Sequence, residues 1–286
     1  MGKYKIKVGI IGGSGLEDIA NRILESATEI KPEELKNDFG EPSGAIYSGI
    51  LHGVEVALLS RHGSGHRLSP SQVNYRANIE ALKMLGCTHI LASNACGSLV
   101  EDIGRGKLVV LTSFIDRTNG RKGTMFDGSS SKYPGVCHVP MEPAFHPEVR
   151  NVLLKAGETL GLNMAPAYKG TIISVEGPRF SSRAESKAFR MWGAELIGMT
   201  TCPEVCLAKE AGLLYASIAM VTDNDCWDDK CDNDGVCVPD VMAVFKQNVS
   251  KVTQLIIKAV ELIGKRDWDQ EIDDLKDLIK SSNMTK

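Results

Sequence analysis

The chain alternates short apolar runs with longer segments in which apolar residues recur every three or four positions. The short runs are typical of buried strands, and the longer segments are typical of helices with one apolar face. Strands are predicted at 7–11, 54–60, 88–93, 107–112, 171–175, 194–198 and 213–221, and helices at 69–86, 147–160, 182–192, from Pro203, at 238–263 and after Asp267. This alternation favours an α/β fold, and the length of 286 residues allows one or two domains, although no convincing linker divides the chain.

Two segments depart from this alternation. Residues 119–147 are rich in glycine, serine and proline, and they predict no regular element. Loops of that length are uncommon in compact domains unless they form lids or contact surfaces. The tail from Asp267 predicts a short charged helix with a frayed end.

Two acidic residues follow the longest apolar run. Residues 213–221 predict a buried parallel strand, and Asp223 and Asp225 come directly after it. Open α/β sheets bind ligands at the carboxyl ends of their strands, so two carboxylates there predict a site. Aspartate is also common in turns and helix caps, which leaves ordinary loop chemistry as the alternative.

The first strand ends in the glycine-rich turn 12–16. A dinucleotide fingerprint that began at Gly13 and Gly15 would need a third glycine at position 18, where the chain has Asp18. The turn therefore predicts a backbone and hydroxyl loop for a small anion, centred on Ser14, with a plain tight turn as the alternative.

The strand 54–60 ends in a run with two arginines, two histidines and interleaved glycines, residues 61–67. Arginine presents a planar fork of donors that matches phosphate oxygens, so this run predicts a flexible cationic anion site; a solvated charge run is the alternative. Other strand exits add hydrogen-bonding groups, an aromatic ring and a thioether: Asn94, Phe180, Ser181, Met199 and Thr200. Together they suit a ligand with a phosphate at one end and a heterocycle at the other.

Composition narrows the class of ligand. The 286 residues carry a formal net charge of -3 and are 24% charged and 43% hydrophobic, which gives no basic excess for a nucleic-acid surface. The sequence has neither a cleavage pattern at its start nor an apolar run long enough for a membrane span, so a cytoplasmic protein is predicted, with the nucleus as a further compartment. Small-molecule ligands are expected.

The eight cysteines do not predict a metal site. Only Cys226, Cys231 and Cys237 cluster, without a nearby histidine and without the close Cys-x-x-Cys pairs that zinc sites use. Structural zinc is therefore the less favoured interpretation.

Six motifs at the strand ends occur in one unbroken order. They are Gly12-Gly13-Ser14-Gly15-Leu16, Arg61-His62-Gly63, Asn94-Ala95-Cys96-Gly97-Ser98, Glu176-Gly177-Pro178-Arg179-Phe180, Met199-Thr200 with Pro203-Glu204, and Thr222-Asp223-Asn224-Asp225. These motifs resemble those of the trimeric purine nucleoside phosphorylases, most closely the branch that cleaves S-methyl-5'-thioadenosine. The resemblance runs from about Lys7 to Ile263.

The resemblance implies one α/β domain over residues 1–286, around a mixed, twisted, partly barrel-like sheet flanked by helices. It also implies a homotrimer that uses inorganic phosphate as co-substrate, without metal or organic cofactor. The implied reaction is phosphorolysis of methylthioadenosine to adenine and 5-methylthioribose 1-phosphate, with adenosine and 2'-deoxyadenosine as further candidates. A purine nucleoside phosphorylase of broader specificity and a non-catalytic nucleotide-binding protein are the alternatives.

The resemblance also implies roles for individual residues. Asp223 and Asp225 would form the catalytic pair that receives adenine. Phosphate would be held by Ser14, Arg61, His62, Asn94 and Thr200. The nucleoside would contact Ala95, Phe180, Ser181, Ile197, Met199, Val238, Val241 and Met242, with His138 donated by the adjacent subunit.

The expected chemistry assigns the two acids unequal parts. Breaking the C1'–N9 bond leaves negative charge on the purine, so a proton donor is needed near N7. Asp223 is the predicted general acid, which requires its pKa to rise from about 3.9 towards neutrality. A carboxylate accepts from a 6-amino group, so adenine nucleosides are favoured over inosine and guanosine.

Three departures from the family pattern bear on affinity and specificity. Members that cleave methylthioadenosine commonly have threonine where this chain has Ser14 and Asn94, and animal relatives carry asparagine in place of Gly198. The loop that contains Cys231 is longer than usual, and the C-terminal tail matches poorly. Since both border the 5' pocket in the family, tolerance for a 5'-hydroxyl is left open.

Overall fold

A computed structural model describes residues 2–13, 23–227 and 237–285 of the chain. The strands in these ranges are β1 (Lys7–Gly12), β2 (Glu25–Ile30), β3 (Ile46–Leu51), β4 (Val54–Ser60), β5 (His89–Ser98), β6 (Leu108–Val110), β7 (Ser113–Arg117), β8 (Thr171–Val175), β9 (Leu196–Gly198) and β10 (Leu214–Asn224). The α-helices are α1 (Tyr75–Met84), α2 (Pro147–Thr159), α3 (Arg183–Met191), α4 (Thr201–Glu210), α5 (Val238–Ile263) and α6 (Asp269–Ser282).

The strands form one mixed sheet that branches at β5. The order is β2-β3-β4-β1-β5-β9-β8-β7, and β10 pairs with both β5 and β6. Strand β5 runs parallel to β1 and β10 but antiparallel to β9, which pairs only with its last two residues. The mixed sheet with flanking helices that the resemblance implied is therefore confirmed.

Both faces of the sheet are covered by apolar side chains. In β1, Ile11 packs into the cluster under α1 and α4, while Val8 and Ile10 pack into the cluster under α2, α5 and α6. This alternation follows from the period of two along a strand. The site is therefore built on strands that are held on both sides, which keeps their ends rigid.

The predicted helix over 69–86 was wrong at its start. Helix α1 begins at Tyr75, because the Asn74 side chain accepts a hydrogen bond from the Ala77 N–H and caps the helix. Ser69 and Gln72 instead close a turn of their own, with Gln72 N donating to Ser69 O at 2.9 Å. Serine is a common helix cap, but Asn74, which lies closer to the apolar stripe of the helix than Ser69 does, caps it instead.

Two predicted turns belong to strands. Residues 94–98 lie within β5, and residues 222–224 lie within β10, so the motif residues project from paired strands rather than from loops. The strand predicted at 107–112 is limited to β6, and a separate strand, β7, follows it. The antiparallel strands β2 and β3 were not predicted.

The irregular stretch between β7 and α2 contains no helix or strand, as predicted, but it is anchored along its length. We call residues 118–146 the strap. Its Met125 N donates to Glu210 at 2.6 Å, and its Tyr133 hydroxyl donates to Glu80 at 2.6 Å. These contacts hold the strap against α4 and α1. Most of the strap therefore packs on the helices and does not form an open lid.

The C-terminal helix is held more firmly than predicted. Trp268, just before α6, is 1% exposed, and Ile272 and Leu275 are buried. Beyond the helix, Met284 N donates to Val136 O at 2.8 Å, which ties the chain end to the strap. The frayed end was therefore a wrong prediction up to residue 284. None of the helices in the described part of the chain is long and apolar enough to cross a membrane.

Candidate active site

A cavity of about 710 Å³ opens where the ends of β5, β9 and β10 meet the first turns of α5. Most of the predicted site residues line it: Arg61, His62, Asn94, Ala95, Phe180, Ser181, Ile197, Met199, Thr200, Asp223, Asp225, Val238, Val241 and Met242. Ser14 lies outside the described residues, although Gly13 beside it lines the cavity. His138 does not line the cavity of its own chain.

A β-bulge aims the acidic pair into this cavity. Met220 and Thr222 face the cavity two residues apart, as strand alternation requires, and so do Asp223 and Asp225. The alternation of side chains along the strand therefore shifts by one residue after Thr222. This shift coincides with the change of register between Val221 and Asp223 in the pairing of β10 with β5. An inserted residue turns the following side chains to the other face, so the bulge adds both acids to the cavity wall.

The two acids have different surroundings. Asp223 is 6% exposed, and one of its oxygens accepts from the Thr222 hydroxyl at 2.7 Å. Asp225 is buried as well, accepts from the Ser181 hydroxyl, and is fixed by its own N–H, which donates to Ser98 O at 2.9 Å. Asp225 is therefore tied to two neighbouring segments, through its carboxyl and its backbone, whereas the Asp223 carboxyl accepts from the hydroxyl of the adjacent residue.

Burial raises the pKa of Asp223, and the nearby charge of Asp225 raises it further, while the hydrogen bond from Thr222 opposes both effects. The direction is the one that a proton donor near neutral pH needs. A Cβ at Gly97 would lie 2.9 Å from Asp223 Oδ2, so the bare backbone of β5 is what admits this carboxyl.

Trp227 anchors the segment that follows β10. Its Nε1 donates to Ser98 O at 2.9 Å, and the Arg190 guanidinium lies 4.2 Å from its ring centroid. The Cys226 thiol lies 3.3 Å from Ser181 O and its pKa is raised by burial, so it is not an activated nucleophile.

At the other end of the cavity, Arg61 is paired rather than free. Its Nε and Nη2 donate to Glu204 at 2.6 and 2.8 Å, and its Nη1 donates to Ser93 O at 2.9 Å. Both side chains of the pair are 1% exposed. Burial lowers the pKa of Arg61, but the Glu204 carboxylate outweighs it and raises the net value, so the guanidinium stays charged. Two of its five N–H groups are left for an anion.

The expectation of a flexible cationic patch was wrong for His62. Burial, followed by the charge of Arg61, lowers the pKa of His62 to about 4, so its ring is neutral near pH 7. Its Nδ1 lies 2.9 Å from Leu68 O, which can only accept, so Nδ1 carries the single proton. The ring also stacks on His66, with the two centroids 4.2 Å apart. Its remaining nitrogen can only accept a hydrogen bond.

Asn94 is fully engaged by protein groups. Its Nδ2 lies 3.2 Å from the hydroxyls of both Thr200 and Thr201, and its Oδ1 accepts from Ser217 at 2.7 Å. Because Thr200 accepts from the amide, its own hydrogen is directed elsewhere. The geometry therefore makes Asn94 a support for the Thr200 hydroxyl rather than a free donor, which sequence reasoning did not anticipate.

The third side of the cavity is apolar and open. Val238 is 59% exposed and Met242 is 40% exposed, although both lie on α5, whose later turns are buried. The apolar spacing of α5 forms a core stripe in its later turns, where Val252, Leu255 and Ile256 are buried, whereas Val241, Val244 and Phe245 nearer its start are only partly buried. Val241 and Phe245 line the cavity instead.

Several cavity residues were missed from the sequence, among them Ser93, Thr222, Phe245 and Thr253. Helical spacing on α5 could have indicated Phe245, which lies one turn after Val241. No group of three or more metal-binding side chains comes together within the described ranges, and Cys231 of the suspected cysteine cluster lies outside them.

Comparison with known proteins decides the family. The chain is 51% identical over 281 residues to the S-methyl-5'-thioadenosine phosphorylase of Drosophila melanogaster, covering 98% of this chain and 94% of that one. It is 49% identical over 279 residues to the Danio rerio phosphorylase of the same name, covering 98% and 96%. The sequence model of the phosphorylase superfamily matches residues 7–261. The chain belongs to this superfamily and to its methylthioadenosine phosphorylases.

Solved structures agree with that assignment to the methylthioadenosine phosphorylases. The methylthioadenosine phosphorylase of Schistosoma mansoni, solved in complex with adenine, superposes with a TM-score of 0.89 at 42% identity and covers 98% of this chain and 99% of its own. A variant of the adenosine/methylthioadenosine phosphorylase from that organism, solved with methylthioadenosine, gives a TM-score of 0.88. The predicted family, fold and pentosyltransferase class are confirmed. Inorganic phosphate is the co-substrate of phosphorylases.

Proposed function

We propose that this methylthioadenosine phosphorylase cleaves S-methyl-5'-thioadenosine with inorganic phosphate. The C1'–N9 bond breaks, a phosphate oxygen bonds to C1' from the opposite face, and the purine takes up a proton, giving adenine and 5-methylthioribose 1-phosphate. The observation that carries the proposal is the single cavity with a buried acidic pair at one end and the buried Arg61 at the other. That spacing of opposite charges suits a nucleoside with phosphate beneath its sugar.

The acidic end suits adenine. Asp223, whose pKa is raised by burial, donates a proton to N7 as negative charge develops on the leaving purine. Asp225 accepts from the 6-amino group, and the Ser181 hydroxyl that bonds to it fixes its orientation. Phe180, 38% exposed at the cavity rim, offers a ring face to the base.

The cationic end suits hydrogen phosphate. Arg61 contributes its charge and two N–H groups, and Thr200 contributes the hydrogen that Asn94 leaves available. The unprotonated ring nitrogen of His62 accepts a hydrogen bond from the hydroxyl of hydrogen phosphate, since the ring N–H is committed to Leu68 O. Ser14, which follows β1 in the sequence, is proposed as a further donor to the same anion.

The open apolar side suits a methylthio group. Val238, Val241 and Met242 line this side of the cavity with apolar surface. The 5' substituent of a ribose bound beside Met199 would contact that surface. A 5'-hydroxyl loses this contact but stays close to solvent, because the rim is exposed. Adenosine and 2'-deoxyadenosine are therefore proposed as slower substrates.

A homotrimer would complete the site. His138 is exposed, and its N–H donates to Ser282 O at 2.9 Å, which fixes it beside the chain end. We propose that an adjacent subunit presents His138 to the 5' side of the cavity. No metal or organic cofactor is assigned a step, and the cytoplasmic location stays a prediction.

Adenine release measured with and without phosphate tests the proposal. Methylthioadenosine is expected to release adenine only when phosphate is present, adenosine to react more slowly, and inosine to react at least about 100-fold more slowly, because a site built for one polar pattern rejects another strongly. The sugar product is identified as a 1-phosphate by ³¹P resonance.

Each contrary outcome would support a different function for this protein. Adenine release that ignores phosphate would mean a hydrolytic nucleosidase. Equal rates with inosine would mean a purine nucleoside phosphorylase of broader specificity. Binding of methylthioadenosine without turnover would support the non-catalytic alternative.

A further inference from the structure

Arg121 is the most heavily engaged side chain of the strap. It lies in the irregular stretch after β7, yet its side chain is only 3% exposed. All three of its nitrogens donate hydrogen bonds, and most of the acceptors are main-chain carbonyl oxygens. A buried guanidinium whose hydrogen bonds go mainly to backbone carbonyls fixes the path of the chain around it.

The acceptors belong to two segments that border the cavity. Nη1 donates to Met199 O at 2.7 Å and to Cys202 O at 2.8 Å, on both sides of Thr200. Nη2 donates to Glu176 O at 2.7 Å, where the chain leaves β8 towards Phe180. One planar group thus joins the segment that carries the phosphate donor to the segment that carries the base contacts.

The same two segments touch directly. Gly177 has a φ of +67°, and a Cβ there would lie 2.6 Å from Met199 Sδ, so the thioether packs on bare backbone. Nη1 of Arg121 also lies 3.1 Å from the Tyr75 hydroxyl, which in turn donates to Pro70 O at 2.8 Å. Pro70 lines the cavity as well. A small shift of Arg121 would therefore move the ribose, base and phosphate contacts together.

We infer that Arg121 is a positioning residue for phosphorolysis, which holds the base and phosphate segments of the active site in register. The inference rests on the proposed function. Arg121 does not line the cavity and so does not touch the substrates. It acts through Met199, Thr200 and the chain that leads to Phe180. Displacements of about 1 Å in such contacts can cost on the order of 100-fold in rate.

Arg121→Lys and Arg121→Ala test the inference. A lysine keeps the charge but has one nitrogen, which can reach only one of the two segments. Both variants are expected to lower kcat about 10- to 100-fold and to raise KM for methylthioadenosine and for phosphate together. A purely structural role would reduce the amount of folded enzyme without changing either KM. Added guanidinium is expected to restore part of kcat in Arg121→Ala.

Arg150→Ala is the matched control. Arg150 also donates to two carbonyls, Leu111 O at 2.7 Å and Ala167 O at 2.8 Å, but it does not line the cavity. Its loss is expected to lower the melting temperature while leaving kcat and both KM values unchanged and insensitive to guanidinium. If Arg121→Ala does not fold, Arg121→Lys carries the kinetic comparison.

The outcomes separate this inference from the proposed function. Wild-type kcat and KM values in folded Arg121→Lys would overturn the positioning role while leaving phosphorolysis intact. A wild-type enzyme without phosphate-dependent activity would overturn the proposed function. In that case methylthioadenosine affinity, measured by calorimetry, still decides the role of Arg121: binding that Arg121→Lys does not weaken would refute it, and binding weakened at least about 10-fold would support it.

Discussion

Asp223→Asn is expected to lower kcat/KM for methylthioadenosine by about 10²- to 10⁴-fold, the usual contribution of a general acid. An amide fills the same space and can keep the hydrogen bond from Thr222, but it cannot transfer a proton to N7. Steady-state adenine release with saturating phosphate measures the loss. Turnover unchanged by the substitution would remove Asp223 from the acid role.

The pH dependence of the same variant adds a second test. Wild-type kcat/KM is expected to fall as pH rises through the elevated pKa of Asp223, because the ionised carboxyl has no proton to give. Asp223→Asn should lack that alkaline limb. A limb that persists in the variant would assign the titration to another group.

Asp223→Asn is expected to keep its stability although it loses activity. The folded-state pKa of Asp223 is raised above the unfolded value of about 3.9, so the folded state binds the proton more tightly. The stability that this group contributes is complete below the unfolded pKa and is lost as pH rises through the folded pKa. Asp223→Asn should therefore melt no lower than wild type at pH 7 to 8, which separates its loss of activity from misfolding.

Asp225→Asn provides the comparison within the pair. Asp225 is expected to read the 6-amino group rather than to donate the proton, so its substitution should change substrate preference more than it changes the pH profile. The ratio of inosine to adenosine turnover is expected to rise, because an amide can donate to a 6-oxo group. If Asp225→Asn alone abolished the alkaline limb, Asp225 would be the proton donor and Asp223 the residue that reads the 6-amino group.

The sequence predicted the sheet where a strand is buried on both faces and failed where it is not. Strands β1, β4 and β8 are mostly apolar and mostly buried, and their predicted bounds agree with the structure to within one residue. Strand β2 has five exposed residues of six and lies at the sheet edge, so hydrophobic patterning carries no signal for it. It joins the sheet through its antiparallel pairing with β3.

The sequence indicated which residues line the cavity better than it indicated how their side chains are arranged. Polar residues at strand ends indicated most of the cavity wall, because parallel strands deliver their ends to one edge. The ionisation of His62 and the engagement of Asn94 depend on partners such as Leu68 and Ser217, and no spacing reveals them. Arg121 gave no comparable signal, because most of its acceptors are main-chain carbonyls more than 50 residues away, which have no side-chain signature.

Glu204→Gln is expected to reduce the free energy of unfolding by about 3–5 kcal/mol, the range for a buried ion pair that loses one partner. Glu204 neutralises Arg61 through two hydrogen bonds, and the Tyr215 hydroxyl donates to the same carboxylate at 2.8 Å. Without the carboxylate a buried guanidinium is left uncompensated. Urea unfolding at pH 7 measures the loss, and unchanged stability would show that solvent reaches Arg61.

Phosphate should partly replace the missing carboxylate of Glu204→Gln. An anion bound to Arg61 stabilises the folded state, so added phosphate is expected to raise the melting temperature of Glu204→Gln more than that of wild type. The double variant Arg61→Met/Glu204→Gln removes the uncompensated charge and is expected to be more stable than Glu204→Gln alone. It should, however, show no phosphate-dependent shift. A double variant that still responds to phosphate would place the anion away from Arg61 and contradict the proposed division of the cavity.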